Sequence, residues 1–139
     1  MKLFALLLST LALPFLTAHA GEKHKDKPAK FPDISHEELA KAVESKTVAV
    51  IDVNGSESFK QGRIPGAIDF EAKKDQLANL LPADKGTLVV AYCGGPMCKA
   101  YKEAAKAAAA LGYTNVKHYS GGISGWKKSG AAVESDPKS

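Results

Sequence analysis

Two short runs of consecutive apolar residues place the tightest limits on how this chain can fold. The first covers residues 48–51 and ends in Asp52, and the second covers residues 88–92 and ends in Cys93. An uninterrupted apolar run is typical of a strand buried on both faces, as in a parallel sheet covered by helices. Because helical patterns separate the runs, we predict an open, mostly parallel α/β sheet with helices on both faces.

Local signals predict the remaining elements. Ser35 and Glu38 form a capping box at the start of one helix. A third strand is predicted at residues 115–119, and further helices at residues 56–61, 73–81 and 99–111. A turn that begins at residue 121 is expected to lead into a short last helix that reaches about residue 128. In open α/β sheets ligands bind beyond the carboxyl ends of the strands. Asp52 and Cys93 stand at such ends and are therefore candidate site residues.

The two ends of the chain differ in character from its middle. Lys2, an apolar stretch over residues 3–16 and the small residues Ala18 and Ala20 match a secretory signal peptide. We therefore predict a cleavable signal peptide over residues 1–20 and export to the periplasm or the cell exterior. We expect a flexible basic leader at residues 21–30, one folded domain at residues 31–130 and a loose C-terminal tail at residues 131–139.

Composition argues against several classes of partner. The net charge is only +4, and no aromatic residue lies among the lysines of the leader, so nucleic-acid binding gains no support. After signal cleavage we expect no membrane association and a monomer. The only two cysteines are Cys93 and Cys98, a spacing that fits neither a redox C-x-x-C motif nor a four-ligand zinc site. We predict no metal and no cofactor.

The segment that follows the second apolar run is Cys-Gly-Gly-Pro-Met-Cys-Lys, residues 93–99, and it leads into an alanine-rich helix. A glycine loop at a helix N-terminus forms a concave nest of backbone N–H groups that favours negative charge. The thiolate is the nucleophilic form of cysteine, so this environment predicts a reactive Cys93. The alternative is that Cys93 packs as a small buried hydrophobic residue.

Over about residues 31–130 the sequence resembles a single-domain rhodanese, a sulfurtransferase. Three stretches carry the resemblance. They are Ile-Asp-Val at residues 51–53 with Phe-Lys-Gln-Gly-Arg-Ile-Pro-Gly-Ala at 59–67, then Val-Ala-Tyr-Cys at 90–93 with its loop, and finally Gly-Tyr-Thr-Asn-Val at 112–116 with Gly-Gly-Ile-Ser-Gly-Trp at 121–126. The resemblance implies a rhodanese-like fold.

The resemblance also implies an activity for Cys93. Its thiolate would take sulfur from thiosulfate or a persulfide donor, and the resulting persulfide would pass that sulfur to cyanide, a low-molecular-weight thiol or a protein acceptor. The loop that binds the persulfide would consist of Gly94, Gly95, Pro96, Met97, Cys98 and Lys99. Asp52 and Arg63 would brace the pocket by an ion pair or a hydrogen-bond bridge, or else Asp52 simply caps a neighbouring N–H.

Two positions depart from the family pattern. Cys98 stands where catalytic members often carry a cation, with Lys99 one residue further on, and Asn54 stands where an arginine is often found. These departures argue against thiosulfate as the natural donor and leave the Cys93 persulfide as the prediction. Cys98 itself has three open roles: a bystander, a thiol that resolves Cys93 as a disulfide, or a partner of Cys93 in binding a soft metal.

Three classes of function follow for the chain. The first is an exported sulfurtransferase that works through a Cys93 persulfide. The second is a thiol–disulfide redox protein that uses Cys93 and Cys98. The third is a non-catalytic rhodanese-like module that delivers sulfur to a partner or docks on one.

Overall fold

The computed structural model describes residues 30–138. The predicted signal peptide, residues 1–20, lies outside the described residues, and so does the basic leader except for Lys30. Within the described part of the chain, no helix has the length and apolar character needed to cross a bilayer.

A four-stranded parallel sheet forms the centre of the molecule. Its strands are β1 (Val48–Asp52), β2 (Ile68–Asp69), β3 (Leu88–Tyr92) and β4 (Val116–His118). Their spatial order is β2-β1-β3-β4, and every neighbouring pair is parallel. The two apolar runs thus become the two central strands, which confirms the predicted open α/β class.

Within the described residues, six α-helices connect and cover the strands. They are α1 (His36–Glu44), α2 (Ser56–Gln61), α3 (Phe70–Lys73), α4 (Leu77–Leu80), α5 (Tyr101–Ala110) and α6 (Gly122–Lys128). The single helix predicted at residues 73–81 is instead α3 and α4, joined by a 3₁₀ turn at Lys74–Gln76. The helical segment begins at Phe70 and not at residue 73, because the Asp69 side chain accepts hydrogen bonds from the backbone amides of Glu71 and Ala72 and so caps a helix directly after β2.

The sheet is buried on both faces, as its apolar strands require. Alternate residues of β3 point to opposite faces, and Val89 and Ala91 belong to one apolar cluster while Val90 and Tyr92 belong to the other. The first cluster includes residues of α3, α4 and α5, and the second includes residues of α1 and α6. The small residues Ala104, Ala105 and Ala108 are fully buried, so α5 lies close against β3 and β4.

The C-terminal segment is attached to the domain, contrary to the expected loose tail. The backbone of Glu134 pairs with that of Arg63 through two hydrogen bonds of 2.9 and 3.0 Å. The Asp136 amide donates to the Lys60 carbonyl, and the Trp126 indole donates to the carbonyl of Ala132. Residues 132–136 therefore form a strap that hydrogen bonds hold to Trp126, Arg63 and Lys60, although its residues stay exposed. The prediction missed the strap because these contacts are distant in sequence.

Candidate active site

The carboxyl ends of β1, β2 and β3 meet at one edge of the sheet. The parallel register places Asp52 beside both Asp69 and Tyr92, and Cys93 follows Tyr92 directly. Cys93 is almost completely buried, with 1% of its surface exposed. The candidate nucleophile thus lies at the edge where ligands of open α/β sheets bind.

The first half of the loop after Cys93 is anchored to α6. The carbonyl of Cys93 accepts from the Ile123 amide at 2.9 Å, and the carbonyl of Gly94 accepts from the Ser124 amide at 3.1 Å. Gly122 makes this approach possible, because a Cβ there would lie 2.5 Å from the Cys93 oxygen. It would also lie 2.6 Å from Gly95 N, and the residue has φ +59°. A glycine is therefore required where α6 meets the loop.

The second half of the loop carries Cys98, which forms a disulfide bond with Cys93. Their Cα atoms are 6.2 Å apart, within the usual range for disulfides. A turn shapes this half, in which the Cys98 amide donates to the Gly95 carbonyl at 3.1 Å. That amide is therefore engaged and does not join the expected anion nest. Of the three open roles of Cys98, only that of a thiol that resolves the Cys93 persulfide or sulfenate as a disulfide includes this bond.

The other residues of the loop make few contacts with the rest of the domain. Pro96, Met97 and Lys99 are exposed, and Met97 is 93% exposed, so it does not pack against the domain. Within residues 30–138, the amides of Gly94, Gly95, Met97 and Lys99 donate to no backbone carbonyl. These four N–H groups are the part of the predicted nest that stays free of backbone hydrogen bonds.

Asp52 and Arg63 do not form the expected bridge. Asp52 is buried and accepts two hydrogen bonds. One comes from the Tyr92 hydroxyl, and the other, of 2.8 Å, comes from the backbone N–H of Asn54. The Tyr92 hydroxyl in turn accepts from the Ile64 amide at 3.1 Å. Burial raises the pKa of the Asp52 carboxyl, and the hydrogen bonds from Tyr92 and Asn54 oppose that rise in part. Asp52 thus links β1, β3 and the loop before β2.

Arg63 holds the C-terminal segment instead. Its guanidinium lies 2.8 Å from the Asp136 carboxylate and 3.7 Å from that of Glu134, and it donates to the Phe59 carbonyl at 3.1 Å. It also stacks over the Phe59 ring at 4.4 Å. Of the two expectations for Asp52, the structure shows the cap on a neighbouring backbone N–H, that of Asn54, and not the bridge to Arg63. Acidic residues of the strap occupy the arginine instead.

A cleft of about 450 Å³ opens beside the loop at the same sheet edge. Its walls come from the segments after β1 and β2 and from the start of α5, namely Val53, Asn54, Gly55, Phe70, Glu71, Lys74, Ala100 and Glu103. Apart from Asn54, none of these residues was predicted to belong to the site, although Val53 lies in a stretch that carries the family resemblance. The parallel register was the available signal, because it brings the segments after Asp52 and Asp69 to the same place.

Asn54 connects the cleft to the loop. Its Oδ1 atom lies 3.6 Å from the position that a Cβ on Gly94 would take. Its Nδ2 atom is buried and has no hydrogen-bond partner among the described residues. Asn54 therefore turns its side-chain oxygen towards the cysteine loop, while its side-chain amide acts on the Asp52 carboxyl, whose pKa it helps to lower.

The domain is thus an open parallel sheet with a cysteine loop at its carboxyl edge, and comparison with known protein families identifies the class of protein that has this arrangement. Residues 35–129 match the family described as the rhodanese-like domain. The chain belongs to this rhodanese-like family.

The matches to individual relatives cover different shares of those proteins. A thiosulfate sulfurtransferase, GlpE of Shewanella oneidensis, is 28% identical over 74% of this chain and 99% of its own. The human single-domain sulfurtransferase TSTD1 has 25% identity, a TM-score of 0.56 and coverage of 71% of this chain and 97% of its own. The transcriptional regulator Rv0324 of Mycobacterium tuberculosis is 33% identical over 73% of this chain, which spans only 44% of that protein.

Proposed function

We propose that the chain is an exported sulfurtransferase in which Cys93 carries sulfane sulfur as a persulfide. The observation that carries this proposal is the position of Cys93 at the carboxyl end of β3, in the loop that leads to α5. Two relatives that the chain covers almost completely bear the name sulfurtransferase. Export is the part of the proposal that depends on residues 1–20 alone.

The proposed first step is attack by the Cys93 thiolate on the outer sulfur of a donor. With thiosulfate, the new bond joins Cys93 Sγ to that sulfur while its bond to the sulfonate breaks, so that sulfite leaves with the electron pair. The free amides of Gly94, Gly95, Met97 and Lys99 are suited to stabilise the anionic persulfide. A second nucleophile, cyanide or a thiol, then takes the sulfur, which makes the kinetics ping-pong.

The disulfide defines which form of the protein can react. A cysteine that is bonded to Cys98 and 1% exposed offers neither a thiolate nor access to a donor. We therefore propose that the dithiol form is the active one and that the disulfide form is inactive. Any assay has to begin with reduced protein.

Charge in the adjacent cleft bears on the donor. Glu71 and Glu103 contribute two carboxylates to its wall, against the single amine of Lys74. Like charges repel, so this wall disfavours a doubly charged anion such as thiosulfate. We propose a persulfide of a zwitterionic low-molecular-weight thiol as the preferred donor, and we expect cysteine persulfide to load Cys93 faster than thiosulfate does.

Intact mass spectrometry tests the proposal. Reduced protein is freed of reductant without oxygen, mixed with thiosulfate or cysteine persulfide, and quenched in acid. In samples quenched early, and in Cys98→Ser, which cannot form the disulfide, we expect a gain of one sulfur atom that cyanide removes. This gain is absent in Cys93→Ser. If Cys93→Ser gains sulfur as readily as the unsubstituted protein, then Cys93 does not carry it and the proposal fails.

The disulfide itself favours a second candidate function, a thiol–disulfide redox protein that uses Cys93 and Cys98. Such a protein exchanges two electrons with a partner thiol pair and needs no sulfane sulfur. It would lose two hydrogen atoms on oxidation and gain no sulfur from either donor. Sulfur uptake in the mass experiment therefore decides between the two candidates.

A further inference from the structure

Cys98 is the group that the proposed transfer reaction leaves unused. It lies five residues after Cys93 on the same loop, and its sulfur is bonded to the sulfur of Cys93. In the proposed persulfide, Cys93 Sγ is the inner of the two sulfur atoms. The loop can thus bring the Cys98 thiol to the inner sulfur, since the disulfide is the product of that attack.

The structure of the loop favours this approach. The half that contains Cys93 and Gly94 is fixed to α6 by two backbone hydrogen bonds, so the backbone that carries the inner sulfur is held in place. The other half turns back through the Gly95–Cys98 hydrogen bond, with the exposed Pro96 and Met97 at its corner. Proline restricts its own backbone, and a preformed turn reduces the entropy lost when the two sulfur atoms meet.

We propose that Cys98 is a resolving nucleophile that converts the Cys93 persulfide into the Cys93–Cys98 disulfide and releases hydrosulfide. The inference rests on the proposed sulfur loading of Cys93. It gives the chain a second outcome besides transfer, in which sulfane sulfur is reduced to sulfide.

The step balances without an additional oxidant. The Cys98 thiolate attacks Cys93 Sγ, the bond between Cys93 Sγ and the outer sulfur breaks, and that sulfur leaves with the electron pair and its proton as hydrosulfide. The outer sulfur is reduced and the Cys98 sulfur is oxidised, while the Cys93 sulfur exchanges one S–S bond for another and keeps its oxidation state. A low-molecular-weight thiol then reduces the disulfide through a mixed disulfide, so each cycle consumes two thiols and releases one sulfide and one external disulfide.

The attack at the inner sulfur also distinguishes Cys98 from an ordinary acceptor. Attack at the outer sulfur would move the persulfide to Cys98, and the protein would keep the added mass. Attack at the inner sulfur removes the added mass and leaves the protein two hydrogen atoms lighter than the dithiol. The bond observed between Cys93 and Cys98 is the product of the second course only.

The experiment follows mass and sulfide together. Reduced unsubstituted protein, Cys98→Ser, Cys98→Ala and Cys93→Ser are each mixed with cysteine persulfide or thiosulfate without oxygen, and samples are quenched over time. Protein without donor is the control for adventitious oxidation. Two substitutions at Cys98 are used so that a folding defect specific to one of them does not decide the result.

We expect the unsubstituted protein to gain sulfur transiently, to end as the disulfide and to release about one sulfide per chain. In Cys98→Ser and Cys98→Ala the added sulfur lasts at least about tenfold longer, because a thiol held on the same loop acts at high effective concentration. Equal persistence of the persulfide in the unsubstituted protein and both Cys98 variants, with no sulfide released, overturns the role of Cys98. If no variant gains sulfur at all, Cys98→Ser included, the proposed function itself is overturned.

Discussion

Substitution of Gly122 by alanine tests how the active loop is held. The new Cβ would lie 2.5–2.6 Å from backbone atoms of Cys93, Gly94 and Gly95, which cannot move aside as a flexible side chain could. Overpacking of this kind costs about 1–3 kcal/mol. The left-handed backbone at φ +59° adds about 1–2 kcal/mol for alanine, offset by up to about 1 kcal/mol from the less flexible unfolded chain.

Gly130→Ala is the matched control. Gly130 also has a left-handed backbone, with φ +79°, but a Cβ there meets nothing within 4 Å. The two substitutions share the conformational cost and differ in the steric one. We therefore expect Gly122→Ala to lower the free energy of unfolding by about 1–3 kcal/mol more than Gly130→Ala does.

Urea unfolding of both variants measures this difference, and mass spectrometry of the reduced proteins measures sulfur loading. We expect Gly122→Ala to load more slowly because the loop amides are displaced, whereas Gly130→Ala loads normally. Equal unfolding free energies together with equal loading rates would refute the conclusion that close contact with α6 positions the loop.

Two other substitutions test the buried contacts around the site. Tyr92→Phe leaves Asp52 short of a donor and should cost about 1–3 kcal/mol at neutral pH. Burial raises the pKa of the Tyr92 phenol above its usual 10.0, so above pH 10 the unfolded state loses this proton before the folded state does. The free energy of unfolding of the unsubstituted protein therefore falls as pH rises above 10. We expect the cost of Tyr92→Phe to shrink in unfolding experiments at alkaline pH, and a cost that stays constant would contradict a raised pKa for Tyr92. Arg63→Ala should speed amide hydrogen exchange at Glu134 and Asp136. It should lower the free energy of unfolding by only about 1 kcal/mol, since both carboxylates are about half exposed. Unchanged protection of these two amides would show that Arg63 does not hold the strap.

The sequence predicted those parts of the fold that local patterns determine. The capping box of Ser35 and Glu38 forms as expected, because its partners are three residues apart. The two apolar runs become β1 and β3 because a sheet covered on both faces buries most of their side chains and leaves only Val48, Ala49 and Leu88 partly exposed. Cys93 occupies the predicted loop for the same reason, since it directly follows the end of β3.

The sequence could not predict contacts between residues that are far apart along the chain. Arg63 and Asp136 are separated by 73 positions, and no local pattern joins a lone arginine to an acidic terminal segment. The hydrogen bond between Tyr92 and Asp52 depends on the register of two strands that are 40 residues apart. The spacing of Cys93 and Cys98 allowed a disulfide, but it did not fix the direction of either sulfur, which depends on how the loop between them folds back through the turn from Gly95 to Cys98 and on side-chain rotation.

Isotopic labelling of the outer sulfur of the donor tests the central claim most directly. The reduced Cys98→Ser protein is treated with the labelled donor and digested, and the label is located by tandem mass spectrometry. We expect the heavy sulfur on Cys93 in the Cys98→Ser protein. In the unsubstituted protein we expect it in the sulfide that is released. Label that is absent from the Cys93 peptide of Cys98→Ser would contradict the claim that Cys93 carries sulfur.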